Sequence, residues 1–163
     1  MTVVDPFAPD DVSWHSVSDR LAFARRLIAG AVALVAAAAV AVVAVLTGVG
    51  WVWALLVVPA LGLAWASWLI GRQVHAMGYA ERADDLLVRR GVLLRSIVVV
   101  PYGRMQFVDV EAGPLARWLG FSSVQLHTAS PGTDAAIDGL VPDEASRLRD
   151  RLARRGEARL AGL

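Results

Sequence analysis

The chain has 163 residues, with 16 arginines against 15 acidic residues for a net charge of +1, and it contains neither cysteine nor lysine. So small a charge does not point to a nucleic-acid partner, and the lack of cysteine excludes a disulfide framework and a thiolate metal site. The lack of lysine excludes Schiff-base and lysine general-base chemistry. Arginine as the sole basic residue suits bidentate phosphate or carboxylate recognition, but Ala, Val, Gly and Arg are abundant together in every region, which reads rather as a general compositional bias.

Residues 1–26 form a leading segment. Pro6 and Pro9 mark a loose end, after which Trp14, Val17, Leu21 and Ala24 recur at three- and four-residue spacing. That spacing predicts a short amphipathic helix feeding into the apolar run behind it. Four acids (Asp5, Asp10, Asp11, Asp19) lie in this lead, whereas a cleaved signal peptide opens on a short basic region.

Residues 27–71 carry no charge, and Thr47 and Ser67 are their only hydroxyl or amide side chains. As a single helix this block would run about 68 Å, more than twice the hydrocarbon thickness of a bilayer. It must therefore break, and Thr47-Gly48-Val49-Gly50 is the turn signal. What remains is Leu27–Leu46 and Trp51–Ile70, each of spanning length. So short a connection makes them antiparallel neighbours, a transmembrane helical hairpin. Arg20, Arg25 and Arg26 precede the first span, Arg72 and Arg82 follow the second, and the turn is uncharged, which puts both ends in the cytoplasm by the positive-inside rule. Trp51 and Trp53 are then expected at the outer interface. Trp65, Trp68, Arg25, Arg26 and Arg72 are expected at the inner one.

Pro59 falls mid-span, where it can kink the second helix. Ala29, Ala33, Ala37 and Ala41 make a small-residue stripe on the first helix, and Ala54, Gly62 and Ala66 a comparable one on the second. Such stripes pack within the hairpin or serve oligomerisation. No charge lies within either span, so nothing marks a proton relay or ion path. The hairpin reads as an anchor.

After a linker at 71–77, residues 78–163 change to short β-branched runs between turn signals. Strands are predicted at Tyr79–Arg82, Leu86–Arg90, Ser96–Pro101, Met105–Val110, Ser123–Thr128 and Ala135–Ile137. The unbroken Ile97–Val100 run suggests a buried strand. In Met105–Val110 the alternation puts Met105, Phe107 and Asp109 on one face. Pro114–Leu119 is a helical turn opened by proline and closed by Gly120. Pro142-Asp143-Glu144 opens a C-terminal helix whose Ala145, Leu148, Leu152 and Arg155 form one stripe, with Arg147, Arg149, Arg151 and Arg154 decorating the rest. Antiparallel strands followed by one amphipathic helix argue for a small bent sheet or barrel closed at one end by the helix.

The stretch Asp84–Ala129 resembles the bacterial pleckstrin-homology-like (PH-like) domain of YdbS-like membrane proteins. The resemblance rests on Arg90-Gly91, on Pro101-Tyr102-Gly103-Arg104-Met105-Gln106, on Gly113-Pro114-Leu115 and on Leu119-Gly120. Two preceding spans belong to the same layout. It implies a membrane α-helical hairpin joined to a small, mainly-β PH-like barrel capped by the C-terminal α-helix. It implies no catalytic residues, and no cofactor is expected.

His15, His75 and His127 are far apart and pair with no nearby ligand, and neither a G-x-S-x-G elbow nor a phosphate-binding glycine loop is present. Arg89, Arg90, Arg95 and Arg104 are the candidate contacts for a ligand or partner, as a basic mouth facing anionic headgroups or as solvated strand ends. Residues 78–163 hold twelve arginines against eleven acids, a weak balance for electrostatic lipid binding. The expected function is therefore a non-enzymatic, membrane-anchored interaction or assembly module, partnered by the bilayer and by another membrane protein or a second copy. Lipid sensing and membrane-bound enzymology are the alternatives, and the latter needs a polar constellation the sequence does not display.

Overall fold

The computed structural model describes residues 12–92, 95–129 and 134–160; the Pro6–Pro9 stretch lies outside them. The chain divides into two compact units, one of residues up to Leu21 together with those from Gln73 onward, the other of Ala22–Arg72.

The helical unit contains most of α1 (Asp19–Thr47), a 3₁₀ segment (Gly50–Leu56) and α2 (Val57–His75). Both helical stretches are long and apolar enough to cross a membrane. Gly48 adopts a left-handed conformation (φ 65°) directly after α1, and its N–H bonds the Ala44 carbonyl at 3.1 Å, ending the helix as an αL glycine does. The structure corrects the role of Pro59. It sits in the first turn of α2 rather than mid-helix, directly after the 3₁₀ segment. Its missing N–H and its ring would disrupt an α-bond to the carbonyl of Leu55, so the tighter winding occupies the turns before it.

The alanine stripe lies on the less exposed face of α1: Ala29, Ala33, Ala37 and Ala41 are half-buried and Ala44 is buried. On the second helical stretch Val52, Leu56, Pro59, Leu63 and Ala66 are among the sheltered residues. Ala54 and Gly62 are exposed, so the expected second stripe holds only at Ala66. Arg26 donates to the Ser67 carbonyl at 3.4 Å and ties the two helices together at their charged ends.

In the other unit, β1 (His15–Ser16), β2 (Gly78–Glu81), β3 (Asp85–Arg90) and β4 (Ser96–Pro101) form an antiparallel sheet in that order. β5 (Met105–Glu111), β6 (Ser122–Thr128) and β7 (Ala135–Leu140) form a second one. A 3₁₀ turn (Tyr102–Arg104) joins the sheets, α3 (Pro114–Leu119) links β5 to β6, and α4 (Pro142–Leu160) ends the described chain. The expected barrel is thus two sheets that do not close on one another among the described residues, an arrangement consistent with a PH-like fold. α4 packs on β5, β6 and the 3₁₀ turn. Its Ala145, Leu148 and Leu152 are fully buried, which is the predicted stripe.

Four expectations are corrected by long-range pairing. Trp14–Val17 is not helical, because His15 and Ser16 pair with Tyr79 and Gly78. Helix α1 starts only at Asp19, with the Ser18 hydroxyl accepting from the Arg20 N–H at 3.3 Å as an N-cap. β4 ends its sheet, so of its valine run only Val100 is fully buried and Val99 is exposed; β3 beside it is central, with Leu86, Leu87 and Val88 all buried. In β5 the register against β6 slips between Met105 and Phe107, an extra residue at Gln106. One inserted residue reverses the faces beyond it, so Val108 and Val110 are the sheltered pair and Phe107, Asp109 and Glu111 face solvent. β7 carries a similar extra residue against β6, with Gly139 at φ 80°, which lets the strand continue to Leu140 instead of stopping at Ile137.

Candidate functional site

The candidate surface is built around α4. Acids at Asp143 and Glu144 favour the helix N-terminus, and from there a line of charged and phenolic groups runs beside the buried leucines. The Tyr79 hydroxyl donates to Glu144 at 3.1 Å, and Arg151 bonds Glu144 at 3.0 Å and Glu81 at 3.3 Å. Arg155 bonds Glu81 at 3.1 Å, donates to the Tyr102 hydroxyl at 2.8 Å and stacks over its ring at 5.2 Å. Arg159 continues the line to Asp84.

Glu81 is largely enclosed, and two guanidiniums with further bonds offset the cost of sheltering its charge. Arg151 is therefore a structural tie between α4 and β2 and not mere decoration of the helix. Both phenols are buried. Burial, reinforced by the Glu144 carboxylate, holds Tyr79 well above the ordinary value near 10; burial raises Tyr102 too, against the pull of Arg155.

Two depressions flank this line. An open cleft of about 780 Å³ lies between the segment Trp14–Asp19 and the start of α4, with Tyr79, Glu144 and Arg151 in its wall. His15 stacks on Tyr79 there, with ring centres 5.2 Å apart. A groove of about 300 Å³ runs between β5 (Met105, Gln106, Phe107, Val108) and α4 (Leu152, Ala153, Gly156, Glu157). β5 is the outer strand of its sheet. Half-exposed Phe107 stands beside the groove, stacked on His127 with centres 4.3 Å apart.

The candidate arginines are divided between two ends of one hairpin. Arg90 pairs with Ser96 in the β3–β4 register while Asp85 pairs with Pro101, so Arg89, Arg90 and Arg95 lie at one end. Arg104 lies beyond the other, roughly 20 Å away along the strand. Arg89 covers the Trp14 ring at 4.7 Å and Arg90 donates to the Ala136 carbonyl. Arg95 and Arg104 are exposed.

In the helical unit Trp51, Trp53, Trp65 and Trp68 are all exposed, Arg72 stacks on Trp68 at 4.9 Å, Arg26 holds Ser67, and Arg25 is half-buried. Sequence reasoning missed the Glu81–Glu144 line. The one signal available was Arg155 following Leu148 and Leu152 on an otherwise apolar stripe, a charge that needs a sheltered partner.

Two helices long and apolar enough to cross a membrane, followed by a two-sheet unit capped by a helix, define a membrane protein with a PH-like domain. The bacterial PH domain family matches residues 23–156, and the chain belongs to that family. It is also similar to the UPF0699 transmembrane protein YdbS of Bacillus subtilis (strain 168), at 30% identity over 103 residues, covering 57% of this chain and 64% of that relative, less than two thirds of its length. No solved structure matches.

Proposed function

We propose that this protein is a non-enzymatic interaction or assembly module, anchored by its hairpin in a bacterial plasma membrane with both ends and the PH-like unit on the cytoplasmic side. The observation that carries the reading is the groove between β5 and α4. An outer strand offers backbone N–H and C=O groups to an added extended segment. The exposed Phe107 ring and the small Ala153 and Gly156 leave room for that segment's side chains. The polar groups nearest the large cleft bond one another, from Tyr79 through Glu144 and Arg151 to Glu81 and Arg155, which favours a framework role for them over chemistry on a substrate. Arginines at both ends of the charge-free block support the cytoplasmic address.

The test is purification of the full chain in mild detergent, with and without Ala153→Arg, which fills the groove from an exposed helix position. A membrane protein or second copy that accompanies the wild type and is lost from a folded Ala153→Arg variant supports the reading. Equal recovery with both removes the groove from it.

A further inference from the structure

The exposed tryptophan of α3 is left unused by the groove and by the charged line. Trp118 is 76% exposed, the most exposed large apolar side chain among the described residues of the PH-like unit. Its presentation is built in. The Arg117 N–H bonds the Gly113 carbonyl at 2.9 Å, the Phe121 N–H bonds the Ala116 carbonyl at 2.9 Å, and Gly120 closes the helix in a left-handed conformation. Leu115, Ala116 and Leu119 are the half-buried side of this turn and Phe121 behind it is buried, which leaves the indole pointing outward.

A lone exposed tryptophan needs no explanation by itself; its place in the chain supplies one. The Arg20 guanidinium donates to the Gly120 carbonyl at 2.7 Å. Arg20 belongs firmly to the PH-like unit: the Ser18 N–H bonds the Gly139 carbonyl at 2.8 Å, and Leu21 packs at Gly139. Yet Leu27, where the charge-free block begins, lies only seven positions after Arg20. As the helix α1 these positions rise about 10 Å. The headgroup layer on each side of the hydrocarbon is itself roughly 5–8 Å deep. The end of α3 is therefore leashed within about one arginine side chain of that layer's outer edge. Gln73 opens the unit's second connection immediately after Arg72, an equally short leash. This limit comes from connectivity and holds for any angle between the units.

The chemistry of α3 matches an anionic lipid interface. Residues 112–123 carry Arg117 and no acid, and tryptophan favours the headgroup level, where its ring is apolar and its N–H is hydrated.

We propose that α3 seats Trp118 in the headgroup layer of the bilayer that holds the hairpin, giving the PH-like unit a third membrane contact that sets its orientation.

Because the chain lacks cysteine, a nitroxide on Gly113→Cys, at the N-cap of α3 where an added Cβ meets nothing within 4 Å, is the only label in the full protein reconstituted in phosphatidylethanolamine–phosphatidylglycerol nanodiscs and leaves Arg117 in place. Its relaxation by oxygen relative to an aqueous nickel chelate should be several-fold higher than that of a label on Gln106→Cys. It should fall to the Gln106→Cys level when Trp118→Ser is added. Folding is checked by unchanged hydrogen exchange in Ser122–Thr128. A ratio equal to that of Gln106→Cys with Trp118 present overturns the proposal. So does a high ratio indifferent to Trp118→Ser, which would assign the proximity to the leash alone. Dipolar broadening between labels in discs holding two copies would assign the face to a second chain instead, again overturning it.

Discussion

Truncating the leucines of α4 tests whether that helix is the closing element of the PH-like core. Leu148 and Leu152 are one turn apart and wholly buried. Leu→Ala removes three carbons, about 2.4 kcal/mol of transfer free energy at roughly 0.8 per methylene. The residual cavity raises the cost to about 2–5 kcal/mol per site. Adjacent on one face, the two cavities merge, so the pair will depart from additivity. Even so, roughly 4–8 kcal/mol is comparable to the whole stability of a small domain.

Leu148→Ala with Leu152→Ala should therefore leave the PH-like unit largely unfolded while the hairpin stays helical. The readout is hydrogen exchange of Ser122–Thr128, the central strand of the sheet beneath α4, in the detergent-solubilised full chain. Protection there should collapse in the double variant. It should persist in Leu152→Met, where volume is nearly conserved, and in Arg154→Ala, an exposed position. Exchange in the double variant as slow as in the wild type would refute the reasoning, because α4 could then be no more than an adherent tail.

The chain's two tyrosines are both buried with raised pKa values. The unfolded phenols lose their protons near 10, so their stabilising contribution is complete below that pH and is lost as pH rises toward the folded values. Absorbance at 295 nm should therefore show phenolate only above the usual pH, in step with unfolding; half the signal appearing at pH 10 in the folded protein would contradict this. Gly139→Ala meets a positive φ and a Cβ position 2.9 Å from that of Leu21, and should cost about 1–3 kcal/mol by the strain alone, read as a lower urea midpoint for the PH-like unit. For topology, a reporter active only outside the cytoplasm should work when inserted at Gly48, and one active only inside should work after Leu163; the reverse pattern would invert the orientation.

The features legible in the sequence are those set within a few residues. A charge-free run of spanning length, a glycine turn at Gly48, the alternation of β6 and the Ala145–Leu148–Leu152 stripe each follow from local periodicity, and the structure carries all four. Features that depend on partners far along the chain were not legible. His15 and Ser16 have helical spacing around them but become a strand because Gly78 and Tyr79, more than sixty residues later, offer a sheet edge. The valine run of β4 looks fit for the interior, yet its place at the end of the sheet leaves it half wet. Gln106 differs from its neighbours in no way that signals a bulge, but the bulge decides which face Phe107 takes and so creates the groove. Arg89 and Arg90 read as a basic surface until the fold turns one onto Trp14 and the other onto the Ala136 carbonyl. Local pattern determines which elements form because its energies are summed over adjacent residues; tertiary structure decides which edges, faces and charges remain free, because each depends on what packs opposite.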